Sequence, residues 1–375
     1  MKIIIVYSSA GTGHQRAAES LYNCLKENCP KTEIQLIDTL GKTNIVFKRI
    51  YTYGYKFLVH YATWLWQISF WITYIKFLRK INKFSTFIIH RLNTGDFSKF
   101  LIEESPDYII STHFLPSEVS AYLKRGKLIK SKIFTVITDF GVHPTWIWPG
   151  TDLYIVASDY TKEQLINQGV NKEIIKILGI PVDSLFLAKY KKEEILRKLY
   201  LKENIFTVLI LTGAFGIGPI EKIVDLLHND AQILVVCARN KNLFLKLRNK
   251  NYPQVKVLGY VDNVAEVMAV SDIIITKPGG LTISELLAME LVPVFISAIP
   301  GQETENARIL EKCGIGVSAK NLRDVKDIIL DFKEHPEKIN EIKENIKKIK
   351  KPNPSGELCN VIRQDSFGYS GGRPL

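Results

Sequence analysis

Acidic side chains almost vanish from one stretch of this chain: between positions 41 and 100 Asp96 stands alone against ten Lys or Arg. Most of the net charge of +12 therefore sits in about a sixth of the sequence. Cysteine is sparse and unpaired in pattern. Cys24, Cys29, Cys237, Cys313 and Cys359 are odd in number and lack a CxxC or His-rich spacing, which argues against a disulfide framework or a structural zinc site and fits a reducing cytoplasm. Fifteen Pro and 23 Gly in 375 residues are too few for a fibrous or linker-dominated chain. The opening apolar run, Lys2–Tyr7, passes into polar Ser8 and Ser9 too early for a secretory signal, whose apolar region runs about 7–15 residues. The Gly-rich turn Ser8–His14 lacks the Gly-Lys-Ser/Thr of a Walker phosphate loop, and no Asp-x-Asp metal cluster occurs in the chain.

One absence needs a reading of its own. From Phe57 to Ile75 no residue is charged, nearly the length of a transmembrane helix. The stretch is nevertheless rich in aromatics, including Trp64, Trp66 and Trp71, with His60, Gln67, Ser69 and Thr73 interspersed. Tyr and Trp favour the headgroup level, so an interfacial helical insertion over about 41–100, held by apolar burial and by anionic lipid, is the preferred expectation. A buried insertion and a true span are the alternatives. No RNA- or DNA-binding module accompanies the basic patch, so no nucleic acid partner is expected.

What is present is an alternation of short β-branched runs with helical stretches, the pattern of parallel sheets with crossover helices. Strands are expected at Lys2–Tyr7, Glu33–Ile37, Tyr108–Ser111, Ile133–Thr138, Leu153–Ala157 and Ile175–Leu178. A second series is expected at Thr207–Leu211, Ile233–Cys237, Val255–Leu258, Ile273–Thr276 and Val294–Ser297. Two Rossmann-like domains follow, 1–180 and 205–351, with a linker at 181–204, a charged helix at Asp331–Lys351 on a solvated face, and a tail at 352–375.

In open α/β sheets ligands gather beyond the carboxyl ends of strands. Four loops there carry candidate chemistry. Ser8–His14 offers Gly11 and Gly13 for close backbone approach to an anion, and His14 as a base suited to neutral pH. Thr212–Pro219 repeats the Gly-rich turn; two such turns suggest a diphosphate substrate. Lys277–Glu285 contains Pro278, Gly279 and Gly280, then Thr282 and Glu285, spaced either as a capping box or with Glu285 available to ribose hydroxyls. Pro300–Asn306 carries Gln302, Glu303 and Asn306, a mixture of donors and acceptors suited to sugar hydroxyls.

These segments, with Val136–Trp146 and Gly259–Asn263, resemble the GT-B glycosyltransferases of family 28 that make membrane glycolipids: bacterial processive diacylglycerol glucosyltransferases and plant monogalactosyldiacylglycerol synthases. The Lys-Pro-Gly-Gly-Leu-Thr and Pro-Gly-Gln-Glu pair is the most specific part. The related peptidoglycan N-acetylglucosaminyltransferase shares it; Thr138-Asp139-Phe140 with His143-Pro144 and Trp146, plus the aromatic basic insertion, favours the diacylglycerol branch. The resemblance implies two Rossmann-like domains facing a central cleft, with lipid bound by the first and a UDP-hexose by the second. Val261 would meet uracil through its backbone and Glu285 the ribose. Gly213, Phe215, Gly216, Gly280 and Thr282 would surround the diphosphate, and Gln302, Glu303 and Asn306 would face the sugar. Ala238 stands before Arg239 where relatives often carry Gly, which bears on a phosphate role for Arg239.

The reaction so implied is inverting transfer of glucose or galactose to the primary hydroxyl of diacylglycerol, with His14 as base, Asp139 orienting it, and no metal or other cofactor. His143 reads as a turn residue. The expected location is the cytoplasmic face of the cell membrane, bound peripherally through anionic lipid. A UDP-sugar epimerase and a silent nucleotide-sugar or lipid-binding protein are the other readings.

Overall fold

The computed structural model describes residues 1–9, 11–72 and 76–368. Ala10 and the end of the charge-free stretch, Thr73 to Ile75, lie outside the described residues, as does the side chain of Trp66. The chain divides into two compact units: Met1–Asp183 with Ile299–Gln302 and Asn353–Leu375, and Ser184–Ala298 with Glu303–Pro352.

The first unit holds a six-stranded parallel sheet: β1 (Lys2–Tyr7), β2 (Glu33–Asp38), β3 (Tyr108–Ser111), β4 (Lys132–Val136), β5 (Leu153–Val156) and β6 (Ile175–Ile177), in the order β2-β1-β3-β4-β5-β6. β1 is an unbroken Ile/Val run because both its faces are covered, as central parallel strands require. Ile3 and Ile5 pack beneath the helix Thr12–Asn28, while Ile4 and Val6 pack toward Phe97, Leu101 and Leu115 on the other face. The order reverses direction about β1, so the β1–β3 boundary is the topological switch point.

The second unit repeats the plan with β7 (Thr207–Ile210), β8 (Gln232–Val236), β9 (Val255–Leu258), β10 (Ile273–Thr276), β11 (Val292–Phe295) and β12 (Val317–Ser318), in the order β12-β11-β10-β7-β8-β9. Its switch point lies between β7 and β10.

Three expectations about organisation need correction. The supposed linker 181–204 contains the helix Lys192–Leu199, whose Ile195 and Leu196 are buried, and from Ser184 onward it belongs to the second unit. The supposed tail is the helix Pro354–Gly368, which returns to the first unit and buries Leu358, Cys359 and Ile362 against Leu21 and Leu25. The charged helix expected at 331–351 is two helices, Leu322–Glu334 and Pro336–Ile349. Pro336 breaks the hydrogen-bond ladder, and Ile339, Ile342 and Ile346 bury one face rather than leaving it solvated.

The aromatic basic segment forms the helices Ile45–Tyr61, Thr63–Ile72 and Lys76–Asn93. Ala62 interrupts the charge-free run, and no described helix is long and apolar enough to cross a membrane. Outward, Ile50, Tyr53, Phe57, Trp64, Ile68 and Trp71 are exposed, Trp64 at 62% and Trp71 at 53%. Inward, Phe47 and His90 are buried.

Candidate functional site

In the first unit the loops after β1 and β3 meet at the switch point. The helix Thr12–Asn28 begins at Gly11, in extended conformation and without a side-chain cap, which leaves its first N–H groups for a ligand or solvent. His14 lies in its first turn and is clamped by Thr112, the residue that follows β3. Thr112 Oγ1 donates to the His14 carbonyl at 2.8 Å, and the His14 Nδ1 lies 2.8 Å from the Thr112 carbonyl. A carbonyl only accepts, so Nδ1 carries the proton and Nε2 keeps its lone pair. Thr138 Oγ1, 2.7 Å from the same Nδ1, is a second partner.

This corrects the expectation for Asp139. His14 is oriented by Thr112 and Thr138, and Asp139 is not among its hydrogen-bond partners; buried Asp139 instead accepts from Gln302 Nε2 through Oδ2 at 2.5 Å. The rings of His113, at 4.6 Å, and Trp146, at 6.2 Å, flank the His14 imidazole. Burial pushes its pKa down to about 4, against a smaller upward pull from the Thr112 carbonyl. A neutral imidazole with a free Nε2 is a base ready to accept a proton at neutral pH. Sequence did not single out Thr112 or His113, and it marked Thr138 only as part of the Thr-Asp-Phe motif. The available signal was the polar triplet Ser111-Thr112-His113 at the carboxyl end of β3. His143 does act as a turn residue: its Nδ1 accepts from the Thr145 N–H at the start of the turn Pro144–Trp146.

The second unit gathers most of the remaining candidates at its own switch point. Gly213 and Gly216 have φ of +85° and +55°, conformations L side chains rarely adopt. A Cβ on Gly216 would lie 2.6 Å from the Cys237 carbonyl oxygen, so only glycine fits. Asn240 Nδ2 donates to the Gly216 carbonyl, and the Arg239 N–H donates to the Ala214 carbonyl, fastening the loop after β8 to the loop after β7. Ala238 has φ +50°, which explains why glycine suits that position. It places Arg239 exposed beside the Gly-rich turn. The Ala238 N–H donates to the Gly259 carbonyl and so anchors the loop that carries Val261. Phe215 is exposed at 40%.

After β10, Gly279 is the N-cap of the helix Gly280–Ala288, and no side chain caps it. Thr282 therefore lies inside the helix, so Thr282 and Glu285 do not form the capping box that their spacing allowed. Glu285 is buried in the second turn. Glu303 reaches Lys277 Nζ at 3.5 Å. Asn306 is fully buried, and its Nδ2 donates to the Pro278 carbonyl. That bond ties it to the Lys277–Gly279 turn. Two buried hydroxyls without a hydrogen-bond partner, Ser8 Oγ and Thr212 Oγ1, sit at the start of the two Gly-rich loops. Among the described residues no group of three or more His, Cys, Asp or Glu could hold a metal ion.

A family model described as monogalactosyldiacylglycerol (MGDG) synthase matches residues 14–182, and one described as glycosyltransferase family 28 C-terminal domain matches residues 207–355. The processive diacylglycerol beta-glucosyltransferase of Staphylococcus carnosus (strain TM300) is 35% identical over 265 residues, covering 69% of this chain and 67% of that one. The enzyme of the same name from Bacillus cereus (strain G9842) is likewise 35% identical over 265 residues, covering 69% and 68%. Among solved structures, the S. aureus MnaA-UDP co-structure superposes with a TM-score of 0.62 at 13% identity, over 100% of this chain and 98% of that one. Acinetobacter baumannii MurG gives 0.61 at 12%, over 97% and 99%. At such identities these likenesses speak for the fold alone, that of the GT-B class. On the sequence matches, the chain belongs to the family of glycosyltransferases that includes the MGDG synthases and the processive diacylglycerol beta-glucosyltransferases.

Proposed function

We propose that this glycolipid-forming glycosyltransferase moves a hexose, glucose or galactose, from its UDP-sugar to the primary hydroxyl of diacylglycerol with inversion at the anomeric carbon. The observation that carries the reading is the His14 arrangement: an imidazole neutral at physiological pH, with Nδ1–H committed to the Thr112 carbonyl and Nε2 left as acceptor. In this reaction the acceptor hydroxyl gives its proton to His14 Nε2 as its oxygen attacks, and the bond to the UDP oxygen breaks on the opposite face. Charge on the departing diphosphate is met by the N–H groups of the loops around Gly213, Gly216 and Gly280, by the Thr212 hydroxyl and by Arg239. Glu285 holds the ribose, Val261 the uracil, and Gln302 and Glu303 the sugar. Asp139 acts through Gln302 rather than through His14. The proposed chemistry assigns this stabilisation to the chain itself, so added chelator should leave turnover unchanged.

The same reading puts the enzyme on the cytoplasmic face of the cell membrane as a peripheral protein. Exposed large apolar residues, Tyr53, Phe57, Trp64 and Trp71 among them, on helices with many Lys and Arg support an interfacial surface that meets anionic lipid. The test is incubation with diacylglycerol vesicles of graded anionic content and each nucleotide sugar, with products identified by mass and anomeric configuration. Inverted hexosyl-diacylglycerol, formed faster on anionic vesicles and slower at high salt, is the expected result. Isomerised nucleotide sugar without glycolipid would favour the epimerase reading instead.

A further inference from the structure

Behind His14 stands a second, fully enclosed imidazole that the proposed reaction does not use. His113 follows Thr112 in the loop after β3 and is 2% exposed. Its ring meets that of His14 nearly edge-on, at 4.6 Å and an interplanar angle of 81°. Its Nδ1 accepts from the Leu115 N–H at 3.1 Å and caps the helix Phe114–Arg125, while Ser111 Oγ donates to its backbone carbonyl at 2.7 Å. The capping bond needs a lone pair on Nδ1, so the ring is held neutral with its proton on Nε2.

Among the described residues, aromatic faces and one buried ion pair surround this ring. Phe114 lies against it at 4.2 Å and Trp146 at 6.5 Å. From the insertion, Tyr51 approaches at 6.3 Å. Beyond Tyr51, at a further 6.3 Å, His90 Nδ1 donates to Glu118 Oε2 at 2.8 Å in a pair that is itself buried. Desolvation, followed by the proximity of His14 and then of His90, holds the His113 imidazole well below the usual histidine range.

We propose that His113 is a further positioning residue of His14, beside Thr112 and Thr138: its uncharged ring shields the His14 imidazole from water and backs its plane, and the Leu115 capping bond keeps that ring uncharged. The inference rests on the reading of His14 as base. It adds that the inner face of the insertion, through Tyr51 and the His90–Glu118 pair, supports the wall of that base. An edge-packed ring withholds solvent from the imidazolium more than from the imidazole, so it lowers the tendency of His14 to take a proton before substrate arrives. The two jobs of His113, cap and wall, can be separated. His113→Asn keeps a carbonyl acceptor for Leu115 N–H and removes the ring; His113→Phe keeps a ring and removes the acceptor.

The experiment follows the His14 ring by NMR in the substrate-free protein across pH, with the signal assigned by His14→Ala, alongside kcat and KM over the same range. In His113→Asn the His14 midpoint should rise from about 4 toward 6.5. The acid limb of kcat/KM should rise with it, while KM for nucleotide sugar on the plateau stays within about twofold. His113→Phe should keep the low midpoint and lose thermal stability. An unmoved midpoint and pH profile in His113→Asn would overturn the proposal and reduce His113 to a helix cap. A shifted midpoint with an unshifted kcat/KM profile would uphold the positioning and refute His14 as base. If His113→Asn does not fold, His113→Gln carries the same test with a longer amide.

Discussion

The loops that open the two sheets, Ser8–His14 after β1 and Thr212–Pro219 after β7, occupy equivalent places and solve different problems. Each leaves a strand at the switch point, each begins near a buried hydroxyl with no partner, and each runs toward a helix. In the first, Gly11 has an ordinary extended backbone with nothing within 4 Å of a Cβ, so its glycine is not sterically required. The loop's value is concentrated in one titratable side chain, clamped by Thr112. In the second, the backbone itself is the instrument: Gly213, Gly216 and Gly218 all have positive φ, and Gly216 abuts a carbonyl. A loop built for proton transfer needs a fixed ring; a loop built for phosphate needs N–H groups in a conformation side chains obstruct.

The largest effect that would sharpen this contrast is expected from His14→Ala. Turnover should fall about 100-fold or more while UDP affinity is retained, since the side chain lost is the base and not a donor contact. Steady-state kinetics beside calorimetric UDP binding checks it. Gly216→Ala should do the reverse, weakening UDP binding about tenfold through a displaced loop, with a stability loss of about 1–3 kcal/mol from strain and clash at φ +55°. A variant that binds UDP normally would remove the claim that the turn is backbone-built. Thr212→Val should be the mildest. A buried hydroxyl without a partner costs the fold energy, so thermal stability should hold or rise, while loss of one hydrogen bond worth about 0.5–1.5 kcal/mol weakens UDP binding a few-fold. Reduced stability with unchanged UDP affinity would make Thr212 a packing residue.

Sequence was informative where a periodic pattern meets no competing signal. Tyr108–Ser111, Val255–Leu258 and Ile273–Thr276 were placed to the residue because each is a short β-branched run bounded by turn-forming or polar residues. β11 was expected two residues late: Ile296 continues the apolar run, but Ser297 adopts φ +48°, which ends extended structure. The two-residue β12 is too short to carry any pattern. His14 and the four loops were visible as residue types at strand ends. What fixes His14 was not, because Thr112 and Thr138 lie 98 and 124 residues away and act through a carbonyl and a hydroxyl that no spacing reveals. Asp139 was the chemically obvious partner, and the fold instead turns its neighbour Thr138 toward the ring.

The return of the C-terminal helix was hidden for a similar reason: Leu358, Cys359 and Ile362 form an apolar stripe too brief to announce which sheet face it covers. Its place on the helix Thr12–Asn28 brings Cys359 Sγ within 3.2 Å of Cys24 Sγ, both free thiols.

The central claim, a desolvated neutral base whose proton is kept on Nδ1 by Thr112, is tested most directly by the pH dependence of kcat/KM on diacylglycerol vesicles. Burial lowers the His14 pKa to about 4, so the basic form is present above that value and is lost as pH falls through it. The same shift means that the unfolded chain binds more protons than the folded one between about 4 and 6.5, so this contribution to stability shrinks as pH falls through that window. With circular dichroism confirming the fold at each point, the account predicts that kcat/KM keeps its plateau through pH 6 and falls only on approach to about 4. An acid limb centred at the ordinary histidine value of 6.5 would contradict it.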